Sequence, residues 1–238
     1  MKLMKHYGSK FQKIKDLLKA RRTHRTRVNN PIIIEIGAHY GEDTLRFLEA
    51  FPNAKIHCFE PDDRNINIFN QMVNDDKVVL YQLALSNQNG KARFYKSVTK
   101  YESNILPDKY DFIALDEYQN NLLHNSGSSS LKSGYPNCLS EEYYVQTIRF
   151  DDWYNSNSIG SIDFMWIDVQ GAEYEVIDGM GSKIQNISYI WMEYGENEYE
   201  GALDRKQTIN LLKSKGFKLV KSLSSIGPKG DLVFKYKN

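Results

Sequence analysis

Three short blocks of the chain hold residue types that could do chemistry at the spacing it needs. The first is Glu35-Ile36-Gly37-Ala38-His39-Tyr40-Gly41, an acid-x-Gly-x-x-x-Gly pattern. Without a Cβ, Gly37 lets the chain turn sharply and lets a ligand approach the backbone. Gly41 lets this loop, with Ala38 inside it, run into a helix whose unpaired N–H groups carry the positive end of the dipole. Glu35, at the strand end, suits the cationic end of a ligand. The second block, His57-Cys58-Phe59-Glu60-Pro61, puts Glu60 19 residues beyond Gly41, near the spacing at which an acid holds ribose hydroxyls. A carboxylate can accept from two neighbouring hydroxyls at once. The third block runs Ile162-Asp163-Phe164-Met165-Trp166-Ile167-Asp168-Val169-Gln170-Gly171-Ala172-Glu173. Asp168 ends a strand, Gly171 permits a tight turn, and Asp168 should project into the crevice beside the first loop. Glu173 falls in the first turn of the next helix, where a carboxylate is favourable with the dipole.

A pyrophosphate-binding loop would read G-x-G-x-x-G, its close glycine pair making room for the phosphates. That pair is missing. An adenosine-type ligand with a positive rather than a phosphate tail, such as S-adenosylmethionine, fits the acids better. A nicotinamide-dependent oxidoreductase is the competing enzyme class, and the glycine spacing argues against it.

These blocks need strands and helices to position them. Ile32–Ile36 reads as a buried strand followed by a helix from near Asp43. Lys55–Glu60 is a second strand, with a helix over Asp63–Val73. Val78–Leu85 is a third strand region. Ile162–Asp168 is a fourth, with a helix over Ala172–Asp178, and Ser188–Glu193 is a fifth, followed by a helix over Arg205–Ser214. Phe217–Ser222 and Leu232–Tyr236 close the chain around a Gly-Pro-Lys-Gly turn at 227–230. Strands alternating with helices predict an α/β fold with a doubly wound, mostly parallel sheet and a final antiparallel edge hairpin. Residues 97–146 break the rhythm. Rich in Tyr, Asn and Ser, they read as an insertion that covers the site at the C-terminal strand ends. Tyr101, Tyr110, Tyr118, Tyr135, Tyr143 and Tyr144, in or beside it, offer flat rings with polar tips suited to sugar faces. Asp151 and Asp152, before Trp153, read as a helix cap.

The 238 residues suit one domain of residues 31–238 with an appendage at 1–30. Met4, Tyr7, Phe11, Ile14 and Leu18 make one stripe of a helix with lysines around it. This basic amphipathic segment and its linker either dock on the domain or meet an anionic membrane surface or an acidic partner. Residues 1–27 hold ten basic residues against Asp16, which leaves the rest with 21 basic and 29 acidic, about −8. A net-acidic body is a poor phosphate-tracking surface, so nucleic acid is not the expected substrate. Cys58 and Cys138 form no CxxC or Cys/His cluster, which argues against a zinc site and for a reducing compartment. No apolar run is long enough for a spanning helix, and the chain reads as cytoplasmic. No His/Asp/Glu set has clear metal-ligand spacing.

Taken together, EIGAHYGEDT, FEPD, LALS at 83–86, NSGSSSL at 125–131, TIRFDDW at 147–153 and DFMWIDVQGAE at 163–173 resemble the FkbM family of methyltransferases over roughly residues 31–195. Family members typically have Asn where His39 stands, Lys where Trp166 stands and often Glu where Gln170 stands. The resemblance implies a class I methyltransferase fold and S-adenosylmethionine as cofactor. It implies a cofactor site lined by Glu35, Gly37, Gly41, Glu60 and Asp168, with Ala84 and Ser86 near the adenine. It further implies O-methylation of a hydroxyl on a sugar, a glycan or a related metabolite. An alcohol is a poor nucleophile and needs a base as the bond forms. Asp168 and Glu193 at the strand tips are the carboxylate candidates, and His39 and His124 the candidates by side-chain type. A non-catalytic binding protein of the same fold, or a nucleic-acid methyltransferase using the basic N-terminus, are the alternative readings.

Overall fold

The computed structural model describes residues 12–14, 16, 30–98, 126–135, 139–222 and 228–237. Ten strands and five α-helices are found among them. They run β1 (Ile32–Ile36), α1 (Glu42–Ala50), β2 (Lys55–Phe59), α2 (Asp63–Met72), β3 (Val78–Tyr81), β4 (Ala84–Ser86), β5 (Gly90–Ser97), β6 (Ser140–Arg149), α3 (Phe150–Ser156), β7 (Phe164–Ile167), α4 (Glu173–Asp178), β8 (Tyr189–Gly195), α5 (Arg205–Ser214), β9 (Phe217–Ser222) and β10 (Lys229–Tyr236). The main sheet has the order β3-β2-β1-β7-β8-β10-β9. Its first five strands are parallel, and β10 is antiparallel to both β8 and β9. This is the class I methyltransferase arrangement expected from the sequence: a mostly parallel seven-stranded sheet closed by an antiparallel hairpin at one edge.

The strand residues are apolar in nearly unbroken runs because both faces of the sheet are covered. The two-residue period decides which layer each one joins. Ile34, Ile36, Met165, Ile167, Ile190, Met192, Leu232 and Phe234 pack with Phe150 and Trp153 of α3, Val176 of α4 and Leu212 of α5. Their neighbours Ile33, Ile56, Phe164, Trp166, Trp191 and Val233 face the other way, onto Phe47 of α1 and Phe69 of α2. Ile14 is fully buried in this second layer. The other stripe residues, Met4, Tyr7, Phe11 and Leu18, lie outside the described residues.

The structure corrects several expected boundaries. The third strand region divides: β3 stays in the main sheet, whereas β4 joins a second sheet of order β4-β6-β5. The insertion at 97–146 contains the end of β5 and most of β6, which pair antiparallel from Gly90↔Thr147 to Ser97↔Ser140. Alternation was hidden there because most of β6 faces solvent. Asp151 and Asp152 do not cap α3. They sit in its first turn after the extended Arg149, Asp151 held by the Arg149 guanidinium and Asp152 by Asn89. Lys229 and Gly230, read as turn residues, open β10.

Candidate functional site

Because β1, β2, β7 and β8 are parallel, their C-terminal ends open on one edge of the sheet, and the loops that leave them share a crevice. The loop after β1 is fastened to β2 throughout. The N–H groups of Gly37 and Ala38 donate to the Phe59 carbonyl at 2.9 and 3.1 Å, and that of Gly41 to Ala38. The His39 N–H donates to Glu60 Oε2 at 2.9 Å. Glu60 Oε1 accepts from Asp62 N and from Asn65 Nδ2. Burial raises the Glu60 pKa to about 7, against the pull of those donors. The glycines are needed for close packing: a Cβ on Gly37 would lie 1.8 Å from the Asp168 carbonyl oxygen, and one on Gly41 2.5 Å from Val73. Both have φ near +85, where a side chain adds strain.

His39 itself has φ of 50, a left-handed conformation that Asn and His tolerate better than most residues. Its ring lies 3.0 Å from Ser126 Oγ on one side and 3.3 Å from Glu42 on the other, and it packs tilted against the Tyr40 ring. The Tyr40 hydroxyl reaches the same Ser126 at 2.7 Å.

The loop after β7 carries a second left-handed pair, Gln170 and Gly171. A Cβ on Gly171 would collide with the Tyr199 ring. Gln170 Nε2 donates to Asp168 Oδ1 at 2.5 Å and lies 3.3 Å from Glu193 Oε2. The Tyr199 hydroxyl is 3.1 Å from both Gln170 Oε1 and the Ser128 carbonyl. Asp168 and Glu193 therefore face each other across one amide. Below them Trp166 stacks on Trp191, centroids 4.9 Å apart, and Trp191 Nε1 donates to Asp231. The register of β7 with β8 sets this indole pair two residues before the two acids, on the same face of the sheet. Burial raises both carboxyls; the Asp168 charge raises Glu193 further, to about 9, while a hydrogen bond with Glu193 pulls Asp168 the other way. Lys229 of β10 opposes this from 3.6 Å and also pairs with Glu198 at 3.0 Å. Glu173, its carboxyl on the Gly171 N–H, is pushed by burial to about 7. A small cavity opens here between Gln170, Glu193, Glu198 and Tyr199.

Residues 126–135 cross all of these loops as a strap. Ser126 meets His39 and Tyr40, and Ser129 bonds Arg64 and the Ser97 N–H. Ser130 donates to the Gln170 carbonyl at 2.6 Å, Lys132 pairs with Glu175, and Tyr135 packs tilted against the Tyr199 ring. The described part of the insertion thus reaches the crevice.

Not every predicted residue arrives there. Glu35 points into the α1 layer, accepting from Thr44 at 2.6 Å and from Cys58 at 3.5 Å. Burial raises it to about 8. Ala84 and Ser86 are buried on β4, where Ala84 packs with Phe94 and Val145. Pro61 is half-buried beside Glu60. His124, Tyr101, Tyr110 and Tyr118 lie outside the described residues. Reading the sequence missed Lys229, Glu198 and Tyr199. The β8–β10 register brings in Lys229, while Glu198 and Tyr199 follow β8 directly, and that place after a strand end was the signal that could have found them.

What these residues offer fits a cationic adenosine ligand. Glu42, Asp43, Glu60, Asp168, Glu173 and Glu193 surround the loops, and the charges of Asp43 and Asp168 are felt by each other. Burial keeps much of this acid neutral, and a positive group is what would draw out its charge; a phosphate tail would find no such partner. No group of three or more His, Cys, Asp or Glu side chains among the described residues could hold a metal ion. No described helix is long and apolar enough to cross a membrane.

Comparisons with known proteins identify the family. A Methyltransferase FkbM domain model matches residues 35–219. The chain is 32% identical over 208 residues to the 2-O-methyltransferase NoeI of Sinorhizobium fredii (strain NBRC 101917 / NGR234), covering 87% of this chain and 79% of that protein. Among solved structures, the methyltransferase FkbM from Methylobacillus flagellatus KT superposes with a TM-score of 0.53 at 10% identity. The match covers 87% of this chain but only 44% of the other, so this chain corresponds to less than half of that one. A Clostridium thermocellum structure provisionally named an rRNA-methylase gives 0.52 at 10% identity, over 98% and 96% of the two chains. Both superpositions speak for the fold alone. The cofactor is S-adenosylmethionine, and the chain belongs to the FkbM family of methyltransferases.

Proposed function

We propose that the enzyme transfers the methyl group to a hydroxyl oxygen of a sugar, a glycan or a related polyol. The observation that carries this reading is the Asp168–Gln170–Glu193 cluster at the adjoining ends of β7 and β8, beside the glycine loop. When bound, the cofactor supplies a methyl group on a positively charged sulfur. Glu60 and Pro61, with Gly37, Ala38 and Gly41 shaping the loop, hold its nucleoside side; Ala84 and Ser86 support the adenine end from β4. Glu35 acts from below, by fixing β1 to α1 through Thr44. The acid pair takes the acceptor proton as the oxygen loses it, since a hydroxyl is a weak nucleophile unless a base removes that proton. Tyr199 and Gln170 wall the cavity next to the pair and hold the acceptor close and aligned, from which much of the acceleration of an in-line displacement comes. His39 serves the site by tying the strap to the glycine loop. The relative's name, a 2-O-methyltransferase, supports oxygen as the acceptor atom. The acidic surroundings support a neutral or cationic acceptor over a nucleic acid.

The test combines binding and transfer. Isothermal titration with S-adenosylmethionine should show binding that Glu60→Ala and Asp168→Ala each weaken at least tenfold. Incubation with a panel of sugars and glycolipids should add 14 Da, the replacement of a hydrogen by a methyl group, to one class of hydroxyl compound. Unchanged affinity in both variants, or methylation confined to RNA, would sink the proposal.

A further inference from the structure

We infer that Lys229 is a positioning residue, whose ammonium holds Glu193 toward Asp168 and sets how many protons the pair carries. The inference rests on the reading of Asp168 and Glu193 given above.

The β8–β10 register sets Asp231 opposite Glu193 and Lys229 opposite Gly195. In antiparallel strands, residues two apart share a face. Lys229 therefore reaches diagonally to Glu193 while Asp231 stands directly across. The Lys229 Nζ lies 3.6 Å from Glu193 Oε1 and 3.0 Å from Glu198 Oε2. Among the described residues, the charged groups that face Glu193 are Asp168 from the end of β7, Glu173 from α4, and Asp231 and Lys229 from β10. All but Lys229 are acids. Glu198 draws the same ammonium toward itself, and the Asp231 carboxyl receives the Trp191 indole N–H.

Two carboxyls over an apolar floor cannot both ionise cheaply. The pair is expected to keep one proton over a broad range of pH, and the lysine limits how far that range extends upward. Without its charge, the charged groups left around the pair among the described residues are acids, and the shared proton is held more tightly. Burial and the Asp168 charge push Glu193 up while Lys229 pulls it down, in line with the geometry.

The test is a titration of the full chain with no acceptor present. Infrared difference spectra follow the C=O band of the protonated carboxyl, assigned by its loss in Glu193→Gln. Lys229→Gln should raise the midpoint of that band by about one pH unit or more, a roughly tenfold tighter proton. Lys229→Arg should keep it within a few tenths of wild type. Glu198→Gln should lower it, because the ammonium then turns wholly to Glu193; this variant tests the same idea should Lys229→Gln fail to fold. A folded Lys229→Gln protein with an unmoved midpoint overturns the inference, as does a Glu198→Gln midpoint that rises. The pH profile of methyl transfer separates the two readings. A band that shifts with Lys229→Gln while the transfer profile stays put would leave Lys229 in its role and remove the acid pair from proton abstraction.

Discussion

At the scale of single residues, Glu35 shows how the strand period decides what a carboxyl meets. Its place before Gly37 suggests a carboxylate facing a cationic ligand. The two-residue period of β1 sends it instead into the α1 layer, where burial keeps it protonated up to about pH 8 and it accepts the Thr44 hydroxyl. The folded pKa is raised above the ordinary 4.5. The stability it contributes is thus complete below that value and is lost as pH rises through about 8. In between, this one group should cost the protein up to about 1.4 kcal/mol per pH unit, roughly 3–5 °C in Tm for a chain of this size. Glu35→Gln keeps the acceptor for Thr44 and cannot ionise. Thermal melts from pH 5 to 8 should therefore fall more gently in the variant than in wild type. Parallel curves would mean that Glu35 is already ionised, or already relieved of its burial, in the folded protein.

At the scale of elements, the site is made by contacts between loops, and these are what the linear sequence conceals. The glycine loop and the strand ends were legible from the Gly37/Gly41 spacing and the apolar runs. The strap was legible only as a Ser-rich block in a site-covering insertion: the partners of Ser126–Ser130, namely His39, Arg64, Ser97 and Gln170, are scattered over the chain. The division of β3 from β4 escaped notice because only Gln82 and Leu83 separate them, the Leu83 N–H bonding the Tyr81 carbonyl where the chain passes from one sheet to the other. The reason for Gly37 was also hidden. Its hydrogen is required by the Asp168 carbonyl of the neighbouring loop, which occupies the place of a Cβ. A comparison of two glycines isolates this effect. Gly90 also has positive φ, of 120, yet nothing lies within 4 Å of its Cβ position. Gly90→Ala should cost about 1–3 kcal/mol of backbone strain. Gly37→Ala should cost at least about 2 kcal/mol more, since two backbones must part, and should weaken S-adenosylmethionine binding as well. Urea denaturation of the two variants decides it, equal losses being the outcome that excludes the packing argument.

At the scale of the whole molecule, the order of the main sheet follows from the strand and helix alternation, but the attachment of the N-terminal segment does not. A 3-4-3-4 apolar stripe set among lysines serves equally well for docking on the domain or for lying on an anionic membrane surface, because both partners take the same amphipathic face. Ile14 separates the two for its own part of the stripe. It has no exposed surface and packs in the layer that holds Phe47, Phe164 and Trp191. Beside it Gln12 is exposed and bonded to Asp16 one turn on, which leaves the polar side of this turn to solvent. A side chain so placed contributes to global stability, and a membrane-facing one would not. Ile14→Ala should therefore cost about 2–5 kcal/mol in chemical denaturation, the range for truncating a buried isoleucine. Ile14→Val should cost about 0.5–1.5 kcal/mol, and Lys13→Ala, on a half-buried neighbour, within about 0.5 kcal/mol. The graded series matters more than any one value, since burial predicts that the loss follows the methyl groups removed. A flat series, with all three variants as stable as wild type, would free the segment from the core and return the basic stripe to an external partner.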